Sequence, residues 1–410
     1  MNKLLTFILF LFSTFSLMGQ GVFMDNASVH VQNDASVTIQ GDLTSENNSF
    51  VENYGVINLR DNLINNGGNT LFTNEDAGTV FFYGDNQYVD GSDTTVFYNL
   101  YFDGAYHAQK EFRVSGAVLH EFDLNDQVLE TRGNILYHLN PDAGSFFFVD
   151  GYASSENLGG YLVRATDAQE EYIFPVGQTS LIPNLRPVIV TPNDSQNNLF
   201  GVRLSPYDVD TDVTGISASG AEGPFPRNDK DAALGELNNR FYHNIFPFSG
   251  SSSADIEVLF ASGDGDYKTM AQWKNNQHID AGFEFSVINE FGLDRKVLIT
   301  DFADYDDDVF TLADLEIEIR VPGGVSPDGD GKNDYFYIRD LEYFPENELV
   351  IFNRWGDMIY KAAPYLNDWD GESNASGTVG SADVVAGTYY YVLKLKEGGD
   401  PIKGFFELKK

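Results

Sequence analysis

The sequence predicts an all-β protein, and three observations lead to that prediction. Phe (33), Tyr (22) and Gly (39) are abundant, which favours strands and tight turns. Short apolar runs alternate with polar residues and end at Gly, Asn or Asp, which is typical of half-buried strands. A length of 410 residues exceeds one ordinary domain. We therefore expect two or three β domains.

The charge balance excludes several classes of function. The formal net charge is −37 at pH 7, so we expect no nucleic-acid partner, because such binding needs a basic surface. Docking on anionic lipid is disfavoured for the same reason. Cysteine is absent from the sequence, which excludes disulfides, thiolate metal sites and cysteine nucleophiles.

Residues 1–20 have the pattern of a secretory signal peptide. Lys3 supplies the positive start, residues 4–17 form an apolar segment, and Gly19 is small enough to precede a cleavage site. The alternatives are a membrane anchor or a buried first helix. No later stretch approaches the ~20 apolar residues of a membrane span, so we expect no helical membrane anchor in the mature chain.

Residues 21–165 contain a repeat with a step near twenty residues, from which we predict a parallel β-solenoid. Strand-like motifs recur along this region, each alternating apolar and other residues and then turning at Gly, Asn or Asp. The clearest copies begin at Val37, Ile57, Val80 and Leu100. Asn-rich turns between them are expected to stack in ladders. An antiparallel sandwich with coincidental spacing is the alternative.

A solenoid also raises the alternative of a carbohydrate-active enzyme. Such an enzyme needs converging carboxylates, or a base beside a bound metal. The basic residues of this region are scattered, and His120-Glu121 lacks the second His of a helical zinc motif. We therefore expect no catalytic residues and no enzymatic activity.

Residues 166–320 are predicted to form an antiparallel β-sandwich module. Pro residues punctuate short apolar runs such as 188–190, 256–260 and 296–300. The acidic groups at 208–212 and 304–308 are compatible with Ca²⁺, although solvated loops are the simpler interpretation. A Ca²⁺-dependent glycan-binding module in this region, with surface glycans as partners, is a further alternative function.

The C-terminal residues 321–410 carry five ordered motifs and are predicted to form a small β-sandwich. The motifs are Ser-Pro-Asp-Gly-Asp-Gly from Ser326, Asn-Arg-Trp-Gly from Asn353, Trp-Asp-Gly from Trp369, Gly-Thr-Tyr-Tyr-Tyr from Gly387, and Lys-Gly from Lys403.

This region closely resembles the type B C-terminal sorting domain of the type IX secretion system of Bacteroidota, also called the gliding motility-associated C-terminal domain. The resemblance implies an immunoglobulin-like sandwich and export across both membranes to the cell surface or the medium. It implies recognition by the type IX translocon and its shuttle protein, and a PorP/SprF-family outer-membrane partner. The implied recognition residues are Asn353, Arg354, Trp355, Gly356, Trp369, Asp370, Gly371, Gly387, Tyr389, Lys403 and Gly404.

The same region contains one candidate metal site. Asp328, Asp330 and Asp334 follow the Asp-x-Asp-Gly-x-x-Asp spacing of calcium loops, where alternate carboxylates face one cation. Ser326 and Tyr337 replace the outer ligands of a full EF-hand. We predict that no cofactor is required, with a structural Ca²⁺ as the hypothesis and a Gly-rich turn with Asx hydrogen bonds as its alternative.

The whole sequence thus predicts a secreted, surface-displayed protein. Its expected role is adhesive, gliding-associated or structural.

Overall fold

The computed structural model describes residues 15–17, 21–68, 71–72, 77–156, 159–212, 218–220, 223–282, 284–316, 319–344, 346–374, 384–395 and 400–410. The chain divides into two compact units, residues 1–315 and residues 316–410. The predicted signal peptide lies outside the described residues except for Phe15–Leu17. Among the described residues, no helix has the length and apolar character needed to cross a membrane. The prediction of an all-β protein is confirmed, since the two helices described are 3₁₀ turns, Ala143–Ser145 and Leu341–Tyr343.

The first part of the larger unit is a parallel β-solenoid of about seven turns. Its strands are β1 (Phe15–Leu17), β2 (Val22–Asp25), β3 (Ser28–Val31), β4 (Ser36–Ile39), β5 (Leu43–Glu46), β6 (Phe50–Asn53), β7 (Val56–Leu59), β8 (Leu63–Asn66), β9 (Thr79–Phe82), β10 (Gln87–Gly91), β11 (Thr95–Phe97), β12 (Asn99–Phe102), β13 (Gln109–Phe112), β14 (Gly116–Val118), β15 (Phe122–Asp123), β16 (Val128–Glu130), β17 (Ile135–His138), β18 (Phe146–Phe147) and β19 (Tyr152–Ser154).

Successive turns of the solenoid stack strand on strand. One face has the order β1-β4-β7-β9-β12-β15-β18, and a second begins β2-β5-β8-β10-β13-β16-β19. The third face contains β3-β6 in the early turns and β11-β14-β17 in the later ones. Residues twenty apart pair directly, Val37 with Ile57 and Leu43 with Leu63. The repeat length in the sequence therefore equals the length of one solenoid turn, and the predicted solenoid is confirmed.

Apolar side chains fill the solenoid and polar side chains join its turns on the outside. Ile57, Leu59 and Leu63 of β7 and β8 are buried, and Asn65 is a buried polar residue beside them. Outside, Asn62 donates a hydrogen bond of 2.8 Å to Asp42, and Asn66 donates one of 2.8 Å to Glu46. Because neighbouring parallel strands lie only ~4.8 Å apart, such ladders add support for the register at every turn.

The solenoid continues into an antiparallel region within the same unit. Its strands are β20 (Tyr161–Thr166), β21 (Tyr172–Phe174), β22 (Val176–Gly177), β23 (Val188–Pro192), β24 (Asn198–Ser205), β25 (Leu234–Leu237), β26 (Tyr242–Ser249), β27 (Ala254–Phe260), β28 (Thr269–Lys274), β29 (Gln277–Asp280), β30 (Glu284–Glu290), β31 (Leu293–Phe302) and β32 (Val309–Leu315).

Strand β20 is where the pairing changes direction. It pairs in parallel with β17 on one side and antiparallel with β24 on the other. The resulting sheet has the order β11-β14-β17-β20-β24-β26-β32-β28-β29, with β25 beside β32, and a second sheet has the order β21-β23-β27-β31-β30. The sequence boundary between residues 165 and 166 thus falls inside β20, within one continuous sheet. The sandwich geometry predicted for residues 166–320 stays a prediction.

Three histidines are buried in the larger unit and have lowered pKa values. Burial lowers the pKa of each ring to about 4, because the charged form loses its hydration. Each Nε2 donates to a backbone carbonyl: His138 to His120 at 2.9 Å, His243 to Arg186 at 3.2 Å and His278 to Phe225 at 3.1 Å. The folded unit therefore holds these rings neutral.

We expect the larger unit to lose stability as the pH falls from about 6.5 to about 4. In that window the unfolded histidines bind protons that the folded ones do not. The free energy of unfolding should fall by up to ~1.4 kcal/mol per pH unit for each histidine. Urea unfolding at several pH values measures this slope. His138→Asn should reduce the slope, and an unchanged slope in that variant would contradict the assignment.

The C-terminal unit contains one mixed five-stranded sheet among its described residues. The strands are β33 (Gly324–Val325), β34 (Glu348–Phe352), β35 (Met358–Ala362), β36 (Gly387–Lys394) and β37 (Ile402–Leu408), in the order β33-β37-β36-β34-β35. Only β33 and β37 pair in parallel within this sheet. Segments outside the strands cover its inner face. The immunoglobulin-like sandwich stays a prediction that the structure does not confirm.

Candidate functional site

The motif tryptophan Trp369 belongs to the core of the C-terminal unit. It is 1% exposed, and its ring centroid lies 6.2 Å from that of Phe336 and 5.4 Å from that of Phe406. Its Nε1 donates a 2.7 Å hydrogen bond to the carbonyl of Glu372. A buried indole with a satisfied N–H is a structural element. Trp369 therefore shapes the unit and presents no surface to a partner.

The motif residues 353–356 form the turn between β34 and β35. The side-chain oxygen of Asn353 accepts hydrogen bonds of 2.9 Å from the backbone N–H groups of Trp355 and Asp357. Gly356 has φ +86°, a conformation that favours glycine. Asn353 and Gly356 thus build the turn. Arg354 and Trp355 project from it, with the guanidinium carbon 4.7 Å from the centre of the exposed indole.

Two motif glycines occupy tightly packed positions. A Cβ at Gly404 would lie 2.7 Å from Cζ of Tyr391, which is too close for a side chain. Gly371 has φ +89°, and a Cβ there would approach Pro327 to 3.2 Å. Gly387 also has a positive φ, of +153°. Gly387 and Gly404 thus support the conformation of strands β36 and β37, and Gly371 supports the segment that follows β35.

The remaining motif residues divide between core and surface. Tyr389 is buried and donates a 2.6 Å hydrogen bond to the carbonyl of Val385. Burial raises the pKa of Tyr389, and the nearby Arg354 guanidinium opposes this rise. Asp370 and Lys403 are exposed. Of the residues implied by the resemblance, Arg354, Trp355, Asp370 and Lys403 thus have side chains accessible to a partner.

The acidic loop brings its three carboxylates together. One oxygen from each of Asp328, Asp330 and Asp334 lies within 4.8 Å of the other two. The carboxylate of Asp334 also accepts hydrogen bonds of 2.8 Å from the backbone N–H groups of Gly329 and Gly331. The predicted residues are therefore neighbours in space, and backbone donors already hold the turn in a shape that leaves the carboxylates side by side.

Four surface residues of this unit are missing from the sequence-based set of recognition residues. They are Phe352, Met358, Tyr390 and Phe405, which lie across four strands on the outer face of the sheet. A signal was present: alternation in a strand places Tyr390 on the face opposite to its neighbours Tyr389 and Tyr391. Nothing in the sequence says which of the two faces is covered.

The compact C-terminal unit is the part of the chain that a known family covers. Residues 319–408 match the family described as CHU_C Type IX secretion signal domain. A search of curated proteins and a search of solved structures each returned no match for the chain. The match supports secretion by the type IX system to the cell surface or extracellular space and implies interaction with the type IX machinery.

Proposed function

We propose that this chain is a non-enzymatic cell-surface protein, delivered by a C-terminal sorting domain of type B and serving an adhesive, gliding-associated or structural role. The observation that carries the proposal is the match of a separately compact C-terminal unit to a secretion signal family. The motifs that begin at Asn353, Gly387 and Lys403 support the finer type B assignment.

The architecture of residues 1–315 supports a structural role. One hydrogen-bonded sheet runs from the solenoid strands through β20 into the antiparallel region, so the two parts cannot hinge freely at that sheet. A continuous sheet of this kind makes a stiff body, and stacked repeats present an extended surface for binding. This is the property that an adhesin or a surface layer needs.

Removing residues 319–410 should leave the protein in the periplasm of a host with the type IX machinery. The reason is that the remaining chain keeps its route across the inner membrane but has no signal for the outer one. Fractionation with immunoblotting measures the distribution. The control is residues 319–410 fused to an inert exported reporter, which should reach the outside. Normal export of the shortened chain would contradict the proposal.

Retention at the surface is proposed to depend on a PorP/SprF-family outer-membrane protein. The same host lacking that protein should release the chain into the medium or fail to export it.

Two alternative functions can be distinguished from this proposal by assay. Glycan-array binding that a chelator abolishes would favour a Ca²⁺-dependent glycan-binding protein, and turnover of a polysaccharide would favour a carbohydrate-active enzyme.

We further propose that the loop of Asp328, Asp330 and Asp334 binds Ca²⁺ as a weak structural ion. Calorimetric titration of Ca²⁺ into the full chain should give a Kd on the order of 10⁻⁴–10⁻³ M, the range of extracellular modules. Asp330→Ala should remove this heat because it removes one of the three clustered carboxylates. Asp400→Ala, a change outside the cluster, is the control. Identical traces for the parent chain and Asp330→Ala would contradict the site.

A further inference from the structure

The outer face of the C-terminal sheet has a row of large apolar side chains. Strand pairing places Met358 beside Phe352, Phe352 beside Tyr390, and Tyr390 beside Phe405, so the four residues cross four strands in one line. We call these four residues, three of which are aromatic, the aromatic row. Met358 is 44% exposed, Tyr390 48% and Phe405 64%. Exposed apolar residues that adjoin one another in this way mark interaction sites, whereas scattered ones do not.

The turn after Phe352 carries two further exposed residues. Trp355, which is 73% exposed, carries Arg354 against its ring at 4.7 Å. Tryptophan, tyrosine and arginine are the residue types that dominate the energy of protein interfaces. Tryptophan and arginine occur in this turn, and Tyr390 lies on β36 beside Phe352.

The outer face of the sheet carries more basic than acidic side chains, unlike the chain as a whole. Lys361 and Lys394 flank Glu348 at 2.8 and 3.4 Å, and Lys403 adds a further exposed cation. Glu407 lies on the same face and accepts a hydrogen bond from the hydroxyl of Thr388. On a chain of net charge −37, cations placed around an apolar row favour a partner whose rim carries carboxylates. Such complementarity orients the partner as it approaches.

The edge of the sheet next to the row is already occupied. Backbone groups of β35 bond to the following loop: the backbone N–H of Asn374 donates to Ile359 at 3.1 Å, and its side chain donates to the carbonyl of Lys361 at 2.8 Å. A partner therefore meets side chains on the face more readily than it extends the sheet at β35.

From these observations we propose that the aromatic row, with Arg354 and Trp355, is the surface by which a protein of the type IX machinery holds this domain. The inference rests on the proposed export function and adds the place of contact. The partner is a protein with an apolar recess edged by carboxylates. Large side chains of the row fill the recess, and the surrounding cations pair with its rim.

The test compares two double variants of the full chain in a host with the type IX machinery. Tyr390→Thr with Phe405→Thr removes two members of the row and keeps a residue suited to strands. Tyr335→Thr with Tyr337→Thr is the matched control, since these tyrosines are 54% and 56% exposed on either side of the core residue Phe336. Thermal unfolding and protease resistance of the purified chains check that both variants fold.

The row variant should show about a tenfold or greater loss of exported protein, with folded chain in the periplasm, and the control should be exported normally. A photo-crosslinker at position 390, but not at 335, should attach to a component of the type IX machinery.

A contrary result is that the folded row variant is exported normally while the chain lacking 319–410 stays in the periplasm. That result overturns this surface and leaves the export function standing. Export of the shortened chain overturns both. A dimer of the parent chain that the row variant loses, without loss of export, assigns the face to a second copy and also overturns the proposal.

Discussion

Asp264→Ala is expected to destabilise the larger unit by about 3–5 kcal/mol. The side chains of Asp264 and Arg186 are both 1% exposed, and the guanidinium contacts the carboxylate twice, Nε to Oδ2 at 2.5 Å and Nη2 to Oδ1 at 2.9 Å. The same carboxylate accepts from the backbone N–H of Ala261 at 3.0 Å. Its removal leaves a buried cation whose remaining hydrogen bonds go to backbone carbonyls, a large cost in a poorly solvated site.

Urea unfolding of the full chain, followed by circular dichroism, measures this loss. The matched control is Asp266→Ala, two residues away. Asp266 is 74% exposed and pairs with Lys268 and Arg295 on the surface, where such pairs contribute less than ~1 kcal/mol. Similar unfolding curves for the two variants would show that burial does not govern the effect.

Trp369→Ala is expected to destabilise the C-terminal unit by about 3–5 kcal/mol. The indole is surrounded by Phe336, Tyr389 and Phe406, and it is among the largest fully buried side chains of the chain. Truncation leaves a cavity and orphans the carbonyl of Glu372, which accepts from Nε1. Thermal unfolding of the full chain should show an earlier transition for residues 316–410 while that of the larger unit stays in place.

The second motif tryptophan provides the control for this prediction. Trp355→Ala should change stability by less than ~0.5 kcal/mol, because its ring is exposed and the turn is held by Asn353. The two variants remove the same side chain from one domain, so composition is constant and burial differs. Equal destabilisation by both substitutions would contradict the division into core and surface.

The solenoid could be predicted because every turn needs the same short pattern of alternating apolar and polar residues. Residues such as Val37 and Ile57 stack in register, so the spacing between equivalent residues in the chain equals the length of one turn. The end of the solenoid could not be predicted in the same way. Strand β20 pairs in parallel on one side and antiparallel on the other. The residues of β20 do not indicate either pairing direction.

The pair of Arg186 and Asp264 is a second feature beyond sequence reasoning. These residues are 78 positions apart, and Asp264 lies in an Asp-Gly-Asp stretch that by local criteria is simply a turn. Its neighbour Asp266 has the same local signature and remains on the surface. Asp264 is buried and Asp266 is exposed because the folded chain places the Arg186 guanidinium beside Asp264.

The candidate site shows the same division. Motifs from Asn353 to Gly404 indicated the kind of domain, and alternation indicated that Tyr389 and Tyr390 face opposite ways. The sequence by itself thus determined the all-β class, the repeating turns and the family of the C-terminal unit, since these depend on short-range period and on motifs. Only the tertiary structure decided that Trp369 is core and that Met358, Tyr390 and Phe405 of the aromatic row are exposed. Burial depends on which distant segment covers a face, and here Phe336 and its neighbours cover the inner one.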